Sequence, residues 1–285
     1  MNLEKLLELK LPELEYTATP RDAMLYALGI GVGDRLDAAS DLQFVYEKGL
    51  KMFPSQVNVI CHPGSWIMNP ALEINWVKLL HGEQGFEILK PMEPGKTYAG
   101  RYKITGILDK GAGKGALLFM RKELREKGDE SLVSTVDSTY FLRGDGGSGG
   151  TASEAPLPHA LPDRAPDSSV THSIMPRAAL IYRLSGDYNP IHVDPVLARK
   201  AGFERPILHG LCTLGVATRA ILQACCANQP ERLKSLKLRF VSPVYPGETL
   251  VTDIWQDLHT VSFRSRVAER NVVVVNNGHA VVAES

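Results

Sequence analysis

The chain has 285 residues, of which 44% are hydrophobic and 22% charged, enough apolar material for one large domain or two of ordinary size. Its 32 basic residues are balanced by 32 acidic ones, and this zero net charge argues against nucleic acid as a partner. No stretch reaches the ~18 apolar residues of a membrane-spanning helix, and the N-terminus lacks the apolar segment of a secretory signal.

These features favour a soluble, cytoplasmic protein with no membrane partner. The chain ends in Ala283-Glu284-Ser285, which is not the Ser-Lys-Leu type of peroxisomal address. A peroxisome reached without a terminal address stays open if the source is eukaryotic.

In chain order, each half of the sequence begins with short helix-type segments and continues with a run of strands. Apolar clusters typical of short helices or turns occur at 21–28, 74–80 and 175–184. Alternation or β-branched residues predict strands at 97–108, 132–142, 236–241, 249–255, 261–267 and 272–282. Strands that follow helices in this way predict antiparallel sheets with helix on one face, an α+β architecture.

The clearest boundary is the segment 144–164, GDGGSGGTASEAPLPHALPDR. It is rich in Gly, Ser and Pro and has no hydrophobic periodicity, so we expect a surface linker. It divides the chain into an N-terminal domain, 1–143, and a C-terminal domain, 165–285.

The two halves share two short repeated sequence motifs. Leu80-His81-Gly82 matches Leu208-His209-Gly210, and a Pro-x-x-Pro-Gly turn occurs at 91–95 and again at 243–247. After His209 comes LCTLGVATRAILQACCAN, which is apolar nearly all round and predicts a long buried helix. After His81 a strand-like run begins almost at once. The first half therefore appears as a duplicate without the long helix, and we expect an empty groove in its place.

The segment 182–192, YRLSGDYNPIH, holds a carboxylate, an amide and an imidazole within one short loop. A plain turn is the simpler interpretation, because Gly, Asp, Asn and Pro are turn residues. If the loop folds back, however, Asp187 and His192 face one point and hold a water molecule between them.

This run, followed by Pro206-Ile207-Leu208-His209-Gly210 and the long helix, resembles the hydratase 2 motif of MaoC-like dehydratases. The likeness covers most of the chain and is greatest to the two-part (R)-specific 2-enoyl-CoA hydratases, including the hydratase portion of peroxisomal multifunctional enzyme type 2. The resemblance implies a double hotdog fold: two antiparallel sheets, each associated with helix, with the long central helix only in the C-terminal half. It implies a degenerate N-terminal hotdog that accommodates the acyl chain and a catalytic C-terminal hotdog.

The implied reaction is reversible syn addition of water to trans-2-enoyl-CoA, giving (3R)-3-hydroxyacyl-CoA, as in β-oxidation of fatty acids. Carried over by motif position, the catalytic residues are Asp187, Asn189, His192 and Gly210. The implied substrate-binding residues are His81, Gly82, Lys110, Tyr188, Pro190, Ile191 and Phe240. The sequence does not divide the acid and base roles between Asp187 and His192.

Several alternatives stay open at this point. The same site serves dehydration of a (3R)-hydroxyacyl thioester in a synthetic pathway, and a non-catalytic acyl-CoA binding protein is a third possibility. The motif needs no metal and no cofactor, since the coenzyme A thioester is itself the substrate. By analogy with relatives we expect a homodimer.

Overall fold

Strands from both halves of the chain form one continuous antiparallel sheet. The computed structural model describes residues 1–34 and 39–284. The first half supplies β1 Leu14–Thr17, β2 Leu79–Ile88, β3 Thr97–Asp109, β4 Ala116–Glu126 and β5 Leu132–Leu142. The second half supplies β6 Ser168–Ser173, β7 Leu233–Phe240, β8 Thr249–Asp257, β9 Thr260–Val267 and β10 Val272–Val282. Within the described residues the strand order is β1-β3-β4-β5-β2-β7-β10-β9-β8-β6.

The two halves meet where β2 pairs with β7. Backbone pairing places Glu83 opposite Arg239 and Gly85 opposite Lys237. The Glu83 carboxylate also accepts a hydrogen bond from Arg239 Nε at 2.9 Å and lies 3.5 Å from Lys237 Nζ. The two predicted antiparallel sheets are therefore confirmed as two five-strand halves, and the structure adds that they are joined edge to edge.

The helices lie against this sheet and are short, with one exception. Their bounds are α1 Leu3–Leu7, α2 Pro20–Gly29, α3 Leu42–Val45, α4 Ala178–Tyr182, α5 Pro195–Lys200 and α6 Gly210–Cys225. The exception is α6, which is the predicted long helix and is buried along almost its whole length. Because it is apolar nearly all round, a position inside the core is the stable one. No helix among the described residues is long and apolar enough to cross a bilayer.

The two halves approach each other closely at Gly215 of α6. A Cβ added at Gly215 would lie 2.5 Å from the Ile30 Cγ2 atom, just beyond the end of α2. Only a glycine allows the first half to pack this tightly on the helix. The core of the second half therefore extends into the first.

No comparable helix occurs among the described residues of the first half, which confirms the predicted asymmetry. The predicted groove is not simply empty, however. A fully buried 3₁₀ helix, Pro54–Asn58, contacts β2, β5 and α6. Nζ of Lys122 on β4 donates hydrogen bonds to the carbonyl oxygens of Val57 at 2.6 Å and Ile60 at 2.7 Å, while burial lowers the pKa of Lys122 to about 7. A buried amino group thus fixes the segment that replaces the helix.

Residues 144–164, between β5 and β6, form neither helix nor strand. They lie along the protein: the Asp109 carboxylate accepts hydrogen bonds from the backbone N–H groups of Gly147 and Gly149, at 2.8 and 2.7 Å. Trp255 Nε1 donates to the carbonyl oxygen of Arg164 at 2.8 Å. We retain 1–143 and 165–285 as the proposed domains on either side.

Candidate active site

The segment that carries the predicted catalytic residues is a tight loop after α4. A 3₁₀ turn, Arg183–Ser185, ends at Gly186, whose φ of +119° is open to glycine alone. The Asp187 carboxylate then accepts a hydrogen bond from Asn189 N at 3.1 Å, and Asn189 Oδ1 accepts one from Ile191 N at 3.2 Å. These two local bonds fold the loop back and start the short helix Pro190–His192. We call residues 183–192 the active-site loop.

His192 is the buried member of this loop, with 8% of its surface exposed. Its Nδ1 lies 2.8 Å from the carbonyl oxygen of Ile207. A carbonyl can only accept, so Nδ1 carries the proton and Nε2 of the neutral ring keeps a lone pair. Burial lowers the pKa of His192, although the bond to Ile207 and the nearby Asp187 carboxylate oppose this. The ring is therefore neutral near pH 7 and able to accept a proton at Nε2.

A second histidine, His209, stacks on His192 with 3.7 Å between ring centroids. Its Nε2 donates to the backbone carbonyl of Asp187 at 3.2 Å, which ties the loop to the start of α6. Burial first, and then the neighbouring His192, lower the pKa of His209 to about 4. No role for His209 was predicted from the sequence. The only signal for it was the repeated Leu-His-Gly.

The Asp187 carboxylate and one ring nitrogen each of His192 and His209 lie within 4.8 Å of one another. Two hydrogen bonds of about 2.8 Å to one water molecule at a tetrahedral angle span about 4.6 Å, so this spacing suits a bridging water. The same donors could be considered for a metal ion. However, each histidine already uses one ring nitrogen on a backbone carbonyl oxygen, which leaves one nitrogen of each ring for any further ligand. The predicted absence of a metal stays a prediction.

Gly210 begins α6 immediately beside this cluster. No side chain caps the N-terminus of the helix, so its first N–H groups keep hydrogen-bonding capacity next to the positive end of the helix dipole. A Cβ added at Gly210 would lie 3.5 Å from the ring of Phe240. The predicted residues Gly210 and Phe240 are therefore neighbours in space.

The first half reaches this site through His81 on β2. Its ring lies 5.2 Å from that of Phe240 and 5.1 Å from that of Tyr140. His81 Nε2 donates to the buried Gln84 Oε1 at 2.8 Å, and burial lowers the pKa of His81 to about 4. Gly82 lies in a break of the β2–β5 register between His81 and Glu83. His81, Phe240 and Gly210 thus form one continuous wall across the two halves.

The other predicted substrate-binding residues are more exposed or lie farther along the chain from this wall. The ammonium group of Lys110 lies 4.9 Å above the ring of Phe141. Phe141 follows Tyr140 on β5, so the side chains of these two residues point to opposite faces of the strand. Tyr188 is 58% exposed and lies under the guanidinium group of Arg183 at 4.9 Å. Pro190 is exposed and Ile191 half-buried. Lys110 is therefore not part of the cluster of Asp187, His192 and His209.

Comparison with known families divides the chain in two. Residues 16–144 match the MFE-2 hydratase 2 N-terminal domain, and residues 158–278 match the MaoC-like domain. The peroxisomal enoyl-CoA hydratase 2 of Arabidopsis thaliana is 37% identical over 291 residues, covering 96% of this chain and 93% of the plant protein. The chain belongs to the hydratase 2 family of MaoC-like proteins.

Two further members of this wider group are similar over most of their length. The 3-hydroxyacyl-thioester dehydratase Y of Mycobacterium tuberculosis is 39% identical over 256 residues, covering 88% of this chain and 86% of that protein. The crystal structure of a MaoC-like dehydratase from Phytophthora capsici is 36% identical, covers both chains completely and superposes with a TM-score of 0.87. The hotdog fold expected of a hydratase 2 protein is confirmed.

Proposed function

We propose that this protein hydrates trans-2-enoyl-CoA to (3R)-3-hydroxyacyl-CoA and that the active-site loop carries out the reaction. The observation that supports this most strongly is one cluster: the Asp187 carboxylate and a ring nitrogen of His192 lie within bridging distance of one water, beside the uncapped start of α6. The name of the Arabidopsis relative, enoyl-CoA hydratase 2, agrees with this chemistry.

In the proposed mechanism, Asp187 and His192 hold the attacking water. The water oxygen forms a bond to C3 of the enoyl thioester while His192 Nε2 takes one of its protons. The electron pair of the C2–C3 double bond moves toward the thioester carbonyl, giving an enolate. The imidazolium then returns the proton to C2 on the same face, which makes the addition syn. Asp187 orients the water and stabilises the transient imidazolium.

The negative charge on the thioester oxygen needs a donor that is already in place. The Gly210 N–H at the start of α6 is suited to this, because the helix N-terminus is positive and carries no side-chain cap. Asn189 shapes the loop through its own backbone contacts, so we assign it a positioning role for Asp187.

The remaining predicted residues describe a path for the substrate. His81, Gly82 and Phe240 would line the acyl thioester next to the reacting carbons. Tyr188, Pro190, Ile191 and Lys110 would contact the coenzyme A portion nearer the rim, where an amine suits a phosphate. Only protein groups and water take part, so we expect no cofactor.

The acyl-CoA partner, β-oxidation and a peroxisomal location are suggested by the relatives rather than by the site. A homodimer stays a prediction, and a particle of 31.2 kDa in light scattering, the mass of one chain, would refute it.

A second direction of the same reaction has specific support. The similar Mycobacterium protein is named a 3-hydroxyacyl-thioester dehydratase, and dehydration is the exact reverse of the proposed steps. The cluster serves both directions, because the groups that add the water also remove it.

The experiment is a spectrophotometric assay of the purified protein with trans-2-enoyl-CoA of short and long chain. Loss of the conjugated thioester absorbance, followed by oxidation of the product by a (3R)-specific dehydrogenase, is the expected result. An Asp187→Asn variant serves as the inactive control. A (3S) product, or equal turnover by the variant, would refute the proposal.

A further inference from the structure

A small crevice lies between the first half of the protein and the beginning of the active-site loop. Gln56, of the buried 3₁₀ helix, and Tyr16 and Asp22 line it on one side, and Leu184 and Ser185 line it on the other. Its volume is about 20 Å³. A single water molecule requires roughly 10–15 Å³, so the crevice can hold one water and little more.

Two buried polar atoms at this crevice have no hydrogen-bond partner among the described residues: Gln56 Oε1 and Ser185 Oγ. Gln56 is only 2% exposed. Its Nε2 faces the backbone carbonyl of Asp22 at 3.3 Å, which fixes the orientation of the amide and leaves Oε1 as the unsatisfied acceptor. Buried polar groups in folded proteins are nearly always satisfied, either by protein or by ordered water.

We propose that the crevice binds one ordered water molecule that bridges Gln56 Oε1 and Ser185 Oγ. The water donates one hydrogen bond to the amide oxygen and either donates to or accepts from the hydroxyl group. Asp22 and Tyr16 at the same crevice supply a third polar neighbour, and about three bonds are usual for a buried water. The site is polar, lies between the two halves and is of the right size.

This water would also help to position the active-site loop, an inference that rests on the proposed function. Ser185 precedes Gly186 and Asp187, and Gly186 has the left-handed conformation that makes the loop turn. A water-mediated bond from Ser185 to the first half is therefore a second anchor of the loop, in addition to its bond to His209. Ser185 and Gln56 act as positioning residues, because neither belongs to the cluster of Asp187, His192 and His209.

The first test is structural and independent of activity. In a high-resolution crystal structure of the wild type, we expect a density peak 2.7–3.2 Å from both Gln56 Oε1 and Ser185 Oγ, the normal hydrogen-bond range. The Ser185→Ala variant should lose this peak. A dry crevice in the wild type, or a peak that survives unchanged in the variant, would overturn the proposal.

The second test measures positioning. Ser185→Ala and Gln56→Met should each lower kcat by about tenfold while KM changes less than twofold, since a small misplacement of the loop affects chemistry more than binding. Ser153→Ala is the matched control, because Ser153 is an exposed serine of the 144–164 segment. Loss of the water with unchanged kcat would refute the positioning role. If the wild type itself does not hydrate enoyl-CoA but the water is present, only the proposed function fails.

Discussion

Replacing His192 by glutamine is the sharpest perturbation of the proposed mechanism. Glutamine keeps an N–H that can reach the Ile207 carbonyl but has no basic nitrogen to take the place of Nε2. A positioned general base typically contributes 10²–10⁴ in rate, which corresponds to about 3–5 kcal/mol of activation free energy at 1.36 kcal/mol per tenfold. We therefore expect kcat to fall by about 10²–10⁴.

The same substitution should change stability far less. It removes the ring that stacks on His209 and exchanges one buried hydrogen bond for another, which costs about 1 kcal/mol. For a chain of this length that lowers Tm by roughly 2–4 °C. The loss of activity would then be chemical, because the variant stays folded at the assay temperature.

The assay is the initial rate of enoyl-CoA hydration between pH 5 and 9. The base must be neutral to work, and burial lowers the pKa of His192 from its usual value of about 6.5. In the wild type kcat/KM should therefore be level near pH 7 and decline only as the pH falls below about 6.5. His259→Gln, an exposed histidine that pairs with Glu284, is the control. If the His192→Gln variant is folded and keeps more than about a tenth of the wild-type kcat, the assignment of His192 as the base is refuted.

The remaining predictions concern the rim, the core and the effect of acid. Lys110→Ala should raise KM for acyl-CoA with kcat little changed, because its ammonium lies outside the catalytic cluster. An unchanged KM in steady-state kinetics would show that Lys110 is a surface amine without a role in substrate binding. Lys122→Met should lower the free energy of unfolding by about 2–4 kcal/mol, since buried carbonyl oxygens lose their donor; chemical denaturation measures this, and a loss below 1 kcal/mol would contradict it. Gly215→Val should destabilise by a similar amount, because even a Cβ would approach Ile30 to 2.5 Å, and calorimetry that shows an unchanged Tm would disprove the close packing. Finally, Tm should fall as the pH is lowered from about 7 to 4. His81 and His209 have pKa values of about 4 in the folded protein but about 6.5 in the unfolded chain, so between these values the unfolded chain binds more protons and acid favours it. A level Tm across this range would show that neither is buried neutral.

Much of the sheet could be predicted from alternation alone. The predicted strands 132–142 and 272–282 coincide with β5 and β10, and the long helix was located by its uniform apolarity. Strand β4 was missed. Its buried face includes Lys122 and Glu126 among apolar residues, so the alternation of hydrophobic and polar residues is disguised. The bonds that satisfy Lys122 come from residues more than 60 positions away, and no local pattern reveals them.

The active-site loop was predicted in part, because its turn residues and the pair Asp187 and His192 are local in sequence. The tautomer of His192 was not predictable, since it depends on the Ile207 carbonyl 15 residues away. The stacking of His209 and the contact between His81 and Phe240 likewise depend on how the halves pack. The segment 74–80, interpreted as a helix or turn, contains only a single 3₁₀ turn before β2 begins at Leu79.

The repeated Leu-His-Gly explains why each chain would carry one active site rather than two. In the second half, Gly210 starts a helix and offers free N–H groups next to the Asp187–His192 cluster. In the first half, Gly82 lies within β2 at the break in register, where no helix begins and no helix end is available to hold an anion. The same tripeptide therefore cannot serve the same chemistry twice. What the first half retains from it is His81, whose ring is directed across the junction and completes the wall of the remaining site through Phe240. The absence of a long helix after His81 and the contact of His81 with the second half therefore go together, because His81 lies on a strand that pairs with β7.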